Sequence, residues 1–322
     1  MARSVLPIIG FLRPLIAGNL TLPPVRDTFA SSSRTTETGL SQRIITFTTD
    51  FGAGDHFVGT MRGVVLTINP HAQIHDICNS VQSFDVLDGA LTIAHAYRYF
   101  PSNSIHMVIV DPGVGSQRRP ILVTTEKHRF IAPDNGVLSL VYEREERISV
   151  RHITSEHYFL QPTSRTFHGR DIFAATAGWL SKGVEAAKFG EEITDYVRFA
   201  SPKVKRINDR TLKGVILKVD KFGNLVTNIR QEDLPQLTEE LPPDFKIMIG
   251  RGEVKRVRRT FAEGAAGEIF GVWGSMGYLE IVANRAYAAQ LLQATKGSDV
   301  GVLFEQPQWE PNGATAAPQN GE

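Results

Sequence analysis

The sequence predicts an α/β protein in two parts: an N-terminal α/β layer domain, then a smaller, mostly antiparallel β domain. Strand-like and helix-like patterns alternate through residues 44–110, as in a layered α/β architecture. From about Thr211 that rhythm gives way to short strand-like runs, most of them separated by turns containing Gly or Pro. The 322 residues are 42% hydrophobic and 21% charged, enough apolar material for two cores.

In chain order, the β-branched run at residues 44–49 (IITFTT) is a strand ending in the turn Asp50-Phe51-Gly52. Asp55 is placed to cap a helix whose apolar face is Phe57, Met61, Val64, Val65 and Ile68, and Asn69-Pro70 stops it. Residues 74–77 form a second short strand. Asp85 caps a second helix carrying Val86, Leu87, Ala90, Leu91, Ala94 and Tyr97 on one side. Residues 105–110 (IHMVIV) are almost continuously apolar, which suits a strand of a parallel sheet covered on both faces. A further helix is expected at 172–180. In the second part, strands are expected at 214–219, 225–229, 245–249, 267–273, 278–282 and 300–304, and the one helix at 286–294. The domains are therefore drawn at 43–200 and 211–304, linked by the polar, basic stretch 201–210.

Residues 1–42 hold four Arg and only two acids, with a Ser/Thr cluster from Thr28 to Thr38. A targeting peptide has this composition, but Pro7 and Pro14 interrupt its apolar run, so a flexible leader is the preferred reading. Residues 305–322, rich in Pro, Gln, Asn, Gly and Ala, are expected to be a disordered tail. Lys plus Arg total 35 against 34 Asp plus Glu, which argues against coating DNA or an anionic membrane. The single cysteine, Cys78, fits a reduced, cytoplasmic setting, and no apolar run nears the ~20 residues of a membrane helix.

Two carboxylates stand out by position. Asp50 and Asp111 each follow an apolar strand and open a Gly-containing turn, and ligands of open α/β sheets bind outside strand C-terminal ends. Capping a turn is the equally simple alternative for each. The loop Asp111-Pro-Gly-Val-Gly-Ser-Gln-Arg-Arg119 adds glycines that permit close backbone approach and the fixed charges of Arg118 and Arg119. His168, in Thr166-Phe-His-Gly-Arg-Asp171, sits in a polar turn opening a helix, with Arg170 nearby. Asp220-Lys-Phe-Gly-Asn224 reads as a hairpin turn by residue type.

Several templates fail. The glycines near Gly52 miss the dinucleotide spacing, and Trp273-Gly-Ser275-Met-Gly277 lacks the first Gly of a nucleophile elbow. There is no P-loop, and no His spacing fits zinc. The basic strip Arg251, Lys255, Arg256, Arg258 and Arg259 reads as a solvated edge strand rather than a nucleic-acid site.

Taken together and in order, Thr48-Thr-Asp-Phe-Gly52, Asp111-Pro-Gly-Val-Gly-Ser-Gln-Arg-Arg119, Ala132-Pro-Asp-Asn-Gly136, Phe167-His-Gly-Arg-Asp-Ile-Phe173 and Asp220-Lys-Phe-Gly-Asn-Leu-Val-Thr-Asn228 resemble the S-adenosyl-L-methionine hydroxide adenosyltransferases. These are SAM hydrolases, relatives of the fluorinases and chlorinases, and the resemblance runs from about Arg43 to Phe304. It implies a Rossmann-like α/β sandwich, a C-terminal β-barrel-like domain, and a homotrimer with each active site between two subunits. The implied reaction is attack of water-derived hydroxide on C5′ of S-adenosylmethionine, releasing adenosine and L-methionine. By the same resemblance Asp111, Arg118 and His168 bind and activate water, and Asp50 holds the ribose hydroxyls. Asp220 and Asn224 grip the amino-acid end with Phe222 between them, and Ser275 lies in the segment beside the adenine. No cofactor or metal is implied, S-adenosylmethionine being the substrate.

The halogenase relatives carry Tyr at the position of Asp111, and the fluorinase a Ser, its halide contact, at that of Gly169. An anionic Asp111 repels halide and Gly169 offers no hydroxyl, so hydrolysis is the favoured reading. A non-catalytic nucleoside-binding or sensing module that kept Asp50, and a halide-dependent transferase, are the alternatives. Two positions depart from the family pattern, Ala175 in place of a frequent Pro and Met276 where the fluorinase has Arg.

Overall fold

The computed structural model describes residues 43–309, so the expected leader and most of the expected tail lie outside the described residues. The first part is built on six strands: β1 (Ile44–Thr49), β2 (Gln73–Cys78), β3 (Ile105–Ile109), β4 (Pro120–Thr125), β5 (Arg129–Pro133) and β6 (Ile148–His152). They lie in the order β2-β1-β3-β5-β4-β6. The pairs β1–β2, β1–β3 and β3–β5 are parallel, while β4 runs antiparallel to both neighbours. The helices are α1 (Phe57–Ile68), α2 (Val86–Ala96), α3 (Ser139–Tyr142) and α4 (Ala175–Ser181).

Side-chain alternation along β1 and β3 separates two cores. Ile45, Phe47, Met107 and Ile109 meet Met61 and Val65 of α1 and Ala177 and Leu180 of α4. On the other face Val108 and Val110 meet Ile93 of α2 and Val141 of α3. The sheet is thus covered on both sides, as the apolar run of β3 requires.

Local chemistry sets the helix starts, in two cases otherwise than the sequence suggests. Asp85 caps α2, its carboxylate accepting from the Asp88 amide at 3.0 Å. Asp55 does not cap α1: His56 occupies the cap position, and no side chain caps there. The helix expected at 172–180 begins earlier, as a π-helical turn over Gly169–Ala174 that runs into α4. Apolar periodicity could not reveal it, because a single wide turn leaves the following helix face unchanged.

The second part comprises β7 (Lys205–Asn208), β8 (Thr211–Val219), β9 (Leu225–Arg230), β10 (Phe245–Ile249), β11 (Gly252–Val254), β12 (Val257–Arg258), β13 (Ile269–Trp273), β14 (Tyr278–Ala283) and β15 (Asp299–Phe304), with the short helix α5 (Ala288–Leu292). Their order is β11-β10-β15-β8-β9-β14-β13-β12, with β7 pairing β8. The two edges, β11 and β12, are separated in the chain by Lys255 and Arg256 alone. Two residues span only about 10 Å, whereas eight flat strands would spread over more than about 30 Å. The sheet must therefore roll up, which gives the barrel-like shape expected of this domain. Its core includes Leu212, Ile216, Leu225, Ile229, Ile281 and Val302.

The basic strip lies on and beside those edges and is partly neutralised. Lys255 pairs with Glu253 at 2.8 Å, and Arg258 with Glu268 at 2.6 Å. Residues 305–309, the start of the expected loose tail, are anchored: the Gln308 amide donates to the Asp209 carbonyl at 2.6 Å, and Trp309 packs edge-on against Phe304. The two parts also meet within the chain. Lys218 of β8 pairs with Asp88 of α2 at 2.5 Å, beside an apolar cluster of Ala90, Leu91, Leu217, Val226 and Tyr278.

Candidate active site

Asp50 and Asp111 come to neighbouring positions because β1 and β3 pair in parallel register, Thr49 opposite Ile109. Both carboxylates therefore emerge at the C-terminal edge of the sheet, where ligands of such sheets bind. The loop after Asp111 folds back so that Arg118 forks onto it. Arg118 Nε donates to Asp111 Oδ1 at 3.0 Å and Nη2 to Oδ2 at 2.5 Å. Nη2 also donates to His168 Nδ1 at 2.8 Å, and the guanidinium lies 5.3 Å from the Phe173 ring centre. Side-chain exposure is only 8% for Arg118 and 6% for Asp111, so this is a buried pair. Its remaining nitrogen, Nη1, is buried and has no hydrogen-bond partner. A buried guanidinium donor left open is costly unless something else accepts from it.

The imidazole chemistry follows from the contact. A guanidinium has no acceptor, so Nδ1 of His168 accepts, and the neutral ring carries its proton on Nε2. Burial, and next the positive charge of Arg118, hold the His168 pKa below its ordinary value. The loop that presents His168 is tied by Asp171, which is fully buried. Asp171 accepts from the Ser164 amide at 2.7 Å and from Arg170 Nε and Nη2 at 2.5 and 2.9 Å. Arg170 is thus a brace for its own turn. Arg119 likewise serves structure, bonding Asp134 at 2.7 Å and Asp195 at 2.8 Å. The 111–119 loop packs closely: at Gly115, with φ of 79°, a Cβ would stand 2.5 Å from the Arg165 carbonyl oxygen. Only glycine fits there.

Asp50 accepts from the Phe84 amide at 2.8 Å through Oδ2. Phe84 has a positive φ of 65° and is 74% exposed. A flat apolar ring is thus held in the open beside the carboxylate. Sequence reasoning missed it; the one signal was an isolated aromatic just before the capping Asp85.

In the β domain Asp220 organises its turn, as its residue types suggest. Oδ1 accepts from the Phe222 and Asn224 amides at 2.8 and 2.9 Å, and Oδ2 from Asn224 Nδ2 at 2.9 Å. Phe222, 68% exposed, and Asn224 line a cavity of about 410 Å³ with Phe261, Arg285 and Tyr287. Phe261 and Tyr287 are far from this turn in sequence, so no local motif announces them. Ser275 lines a second cavity, of about 330 Å³, with Asp220, Lys218, Met276, His95 and Tyr99.

The structure thus brings together Asp111, Arg118 and His168, and separately Asp220, Phe222 and Asn224. Among the described residues no hydrogen bond, ion pair or ring contact joins the first set or Asp50 to the second set or Ser275. No group of three or more His, Cys, Asp or Glu among the described residues is arranged to hold a metal ion. No helix among them is long and apolar enough to cross a membrane.

Comparison with known proteins places the chain among relatives. The chain is 36% identical over 271 residues to an (R)-S-adenosyl-L-methionine hydrolase of Methanocaldococcus jannaschii, covering 81% of this chain and 96% of the relative. It is 27% identical over 289 residues to a fluorinase of an Actinoplanes species, covering 80% and 97%. The crystal structure of an uncharacterized conserved protein from Thermotoga maritima superposes with a TM-score of 0.75 at 33% identity, over 80% of this chain and 99% of the other. Residues 45–190 match the N-terminal domain, and residues 214–301 the C-terminal domain, that define one family: this chain belongs to the SAM hydroxide adenosyltransferases.

Proposed function

We propose that this protein hydrolyses S-adenosyl-L-methionine to adenosine and L-methionine. The observation that carries the reading is the buried Asp111–Arg118–His168 cluster, whose Arg118 Nη1 lacks a protein acceptor. A water or hydroxide bonded to that nitrogen would be held against a fixed positive charge, which favours its deprotonated form. Water in bulk has a pKa near ~15.7, so this electrostatic help addresses the hard part of the reaction. Hydroxide attacks C5′, the C5′–S bond breaks, and its electron pair stays on sulfur as a neutral thioether. The proton of the water is taken by a neighbouring base and passes from it to solvent. While Arg118 holds Nδ1, His168 cannot take that proton there, so it serves as a donor through Nε2, and Asp111 is the adjacent base. Attraction between hydroxide and sulfonium is strengthened where water is excluded, as around the buried pair.

Asp50 binds the ribose hydroxyls, one carboxylate accepting from both, with Phe84 as a face for the nucleoside. Asp220 and Asn224 hold the amino-acid end with Phe222 between them, and Phe261 and Tyr287 of the same cavity offer rings to the purine. Asp220 pairs with the methionine ammonium. Among the described residues no contact joins these two half-sites within one chain, which fits the homotrimer, with sites between subunits, that the family resemblance implies. A cytoplasmic location and the lack of any cofactor beyond the substrate belong to the same reading.

Halide transfer is the competing reaction, given the fluorinase relatives. At Gly169 an added Cβ would stand 3.0 Å from Met61 Sδ and 3.2 Å from the Phe167 ring, so a halide-binding serine would have to push both side chains aside. Product analysis separates the readings. Purified protein given S-adenosylmethionine should release adenosine and methionine in equal amounts, unchanged by chloride or fluoride. A halogenated nucleoside would overturn hydrolysis, and tight binding without turnover would indicate a sensing module.

A further inference from the structure

We propose that Glu280 is a second counter-charge for the substrate's α-ammonium group, acting beside Asp220. This deepens the hydrolase reading and rests on it. Glu280 is in β14, paired with Val226 of β9 and Val272 of β13, neither of which carries charge. It is 7% exposed, yet its carboxylate makes no hydrogen bond or ion pair with any described residue. The side chain lies against the turn that bears Ser275: a Cβ built on Gly274 would fall 1.8 Å from Glu280 Oε1. Ser275 and Asp220 line one cavity. Glu280 thus stands against the residue next to Ser275, and the charge of Asp220 disfavours its ionisation.

The groups around the pair leave its charge unmatched. Asp220 is bonded only to neutral donors, the amides of Phe222 and Asn224 and the Asn224 side chain. Lys218 lines the same cavity, but its ammonium is taken by Asp88 at 2.5 Å. The turn residues Ser275 and Met276 carry no charge. Burial first, and the charge of Asp220 second, raise the Glu280 carboxyl to about 6. A buried carboxylate beside a half-buried one, with no cation between them, is unfavourable, and a bound primary ammonium, with three donors, relieves both.

The sign of the pH effect follows. Below about pH 6 Glu280 takes up a proton and its counter-charge is lost, so kcat/KM should fall as pH drops through that value. In the free protein the raised pKa also means that ionised Glu280 opposes folding at neutral pH. Glu280→Gln should therefore raise the KM for S-adenosylmethionine at least tenfold with kcat changed less than threefold, and remove the inflection near pH 6. It should also raise the melting temperature of the unliganded protein at pH 7.5, by about 2–4 °C. A merely structural glutamate would do the reverse on melting.

A second variant, Gly274→Ala, displaces the same carboxylate without deleting it and should reproduce the KM effect. Calorimetry with L-methionine and its deaminated analogue gives a readout independent of turnover. Glu280→Gln should weaken the first and leave the second unchanged. Unchanged KM in both variants, or equal loss for both ligands, overturns the role of Glu280. No adenosine from the wild-type protein would instead overturn the hydrolase reading.

Discussion

Arg118 makes three of the site's hydrogen bonds, two to Asp111 and one to His168, and keeps one donor open. Its replacement by Ala should lower kcat about 10²–10³-fold, with KM changed far less, because the open donor acts on the developing charge. Steady-state kinetics on folded variant checks this split. The same change leaves Asp111 buried and unpaired, so stability should drop by about 3–5 kcal/mol in denaturant titration. NMR titration of the His168 imidazole should give a midpoint below 6.5, because burial and Arg118 both oppose its protonation. A midpoint above 6.5 would contradict the contact through Nδ1. The sequence exposed these three residues only as members of short polar motifs. That Arg118 rather than Arg119 faces Asp111 was carried by family resemblance, since two adjacent arginines look alike until the loop folds. Phe84 and Glu280 were not legible, because an exposed aromatic and a strand glutamate acquire meaning only from what they stand beside.

The elements place these residues with little slack. The π-helical turn at Gly169–Ala174 sets His168 at the start of a helix while Asp171 ties the preceding loop. Gly169→Ser should push on Met61 and Phe167, costing about 1–3 kcal/mol by overpacking and lowering hydrolysis without conferring halide transfer. Thermal melting and product analysis read the two effects separately. The buried pair His106 and His128, 3.3 Å apart behind Tyr97, has a different consequence. Burial lowers His106 to about 3, so the unfolded chain binds its proton below pH 6.5 while the folded chain does not. Stability should therefore be lost progressively as pH falls from 6.5 toward 3, and His106→Gln should flatten that slope. The sequence made β1 and β3 plain through continuous apolar runs. It left β4 to β6 undescribed, because these strands hold no more than three consecutive apolar residues each, bounded by Pro120, Lys127 and Pro133.

Across the whole molecule, the proposed function requires two separate sets of residues to form one site. Asp50, Asp111, Arg118 and His168 belong to the first sheet and its loops, and Asp220, Phe222 and Asn224 to a turn of the rolled second sheet. If sites form between subunits, Asp111→Asn and Asp220→Asn chains, each nearly inactive alone, should recover activity when refolded together, because mixed trimers contain some sites free of either change. No recovery, with mixed oligomers verified by native mass measurement, would place each site within one chain. The two-domain architecture was readable from the change of rhythm near Thr211, whereas assembly depends on surfaces that no periodicity encodes.

The most direct test of the chemistry is turnover of S-adenosylmethionine in ¹⁸O-labelled water, with Arg118→Ala run alongside. Water activated by this cluster places one ¹⁸O in the 5′-hydroxyl of adenosine and none in methionine, and the variant loses that product. Unlabelled adenosine, label on the methionine fragment, or full turnover by the variant would contradict it.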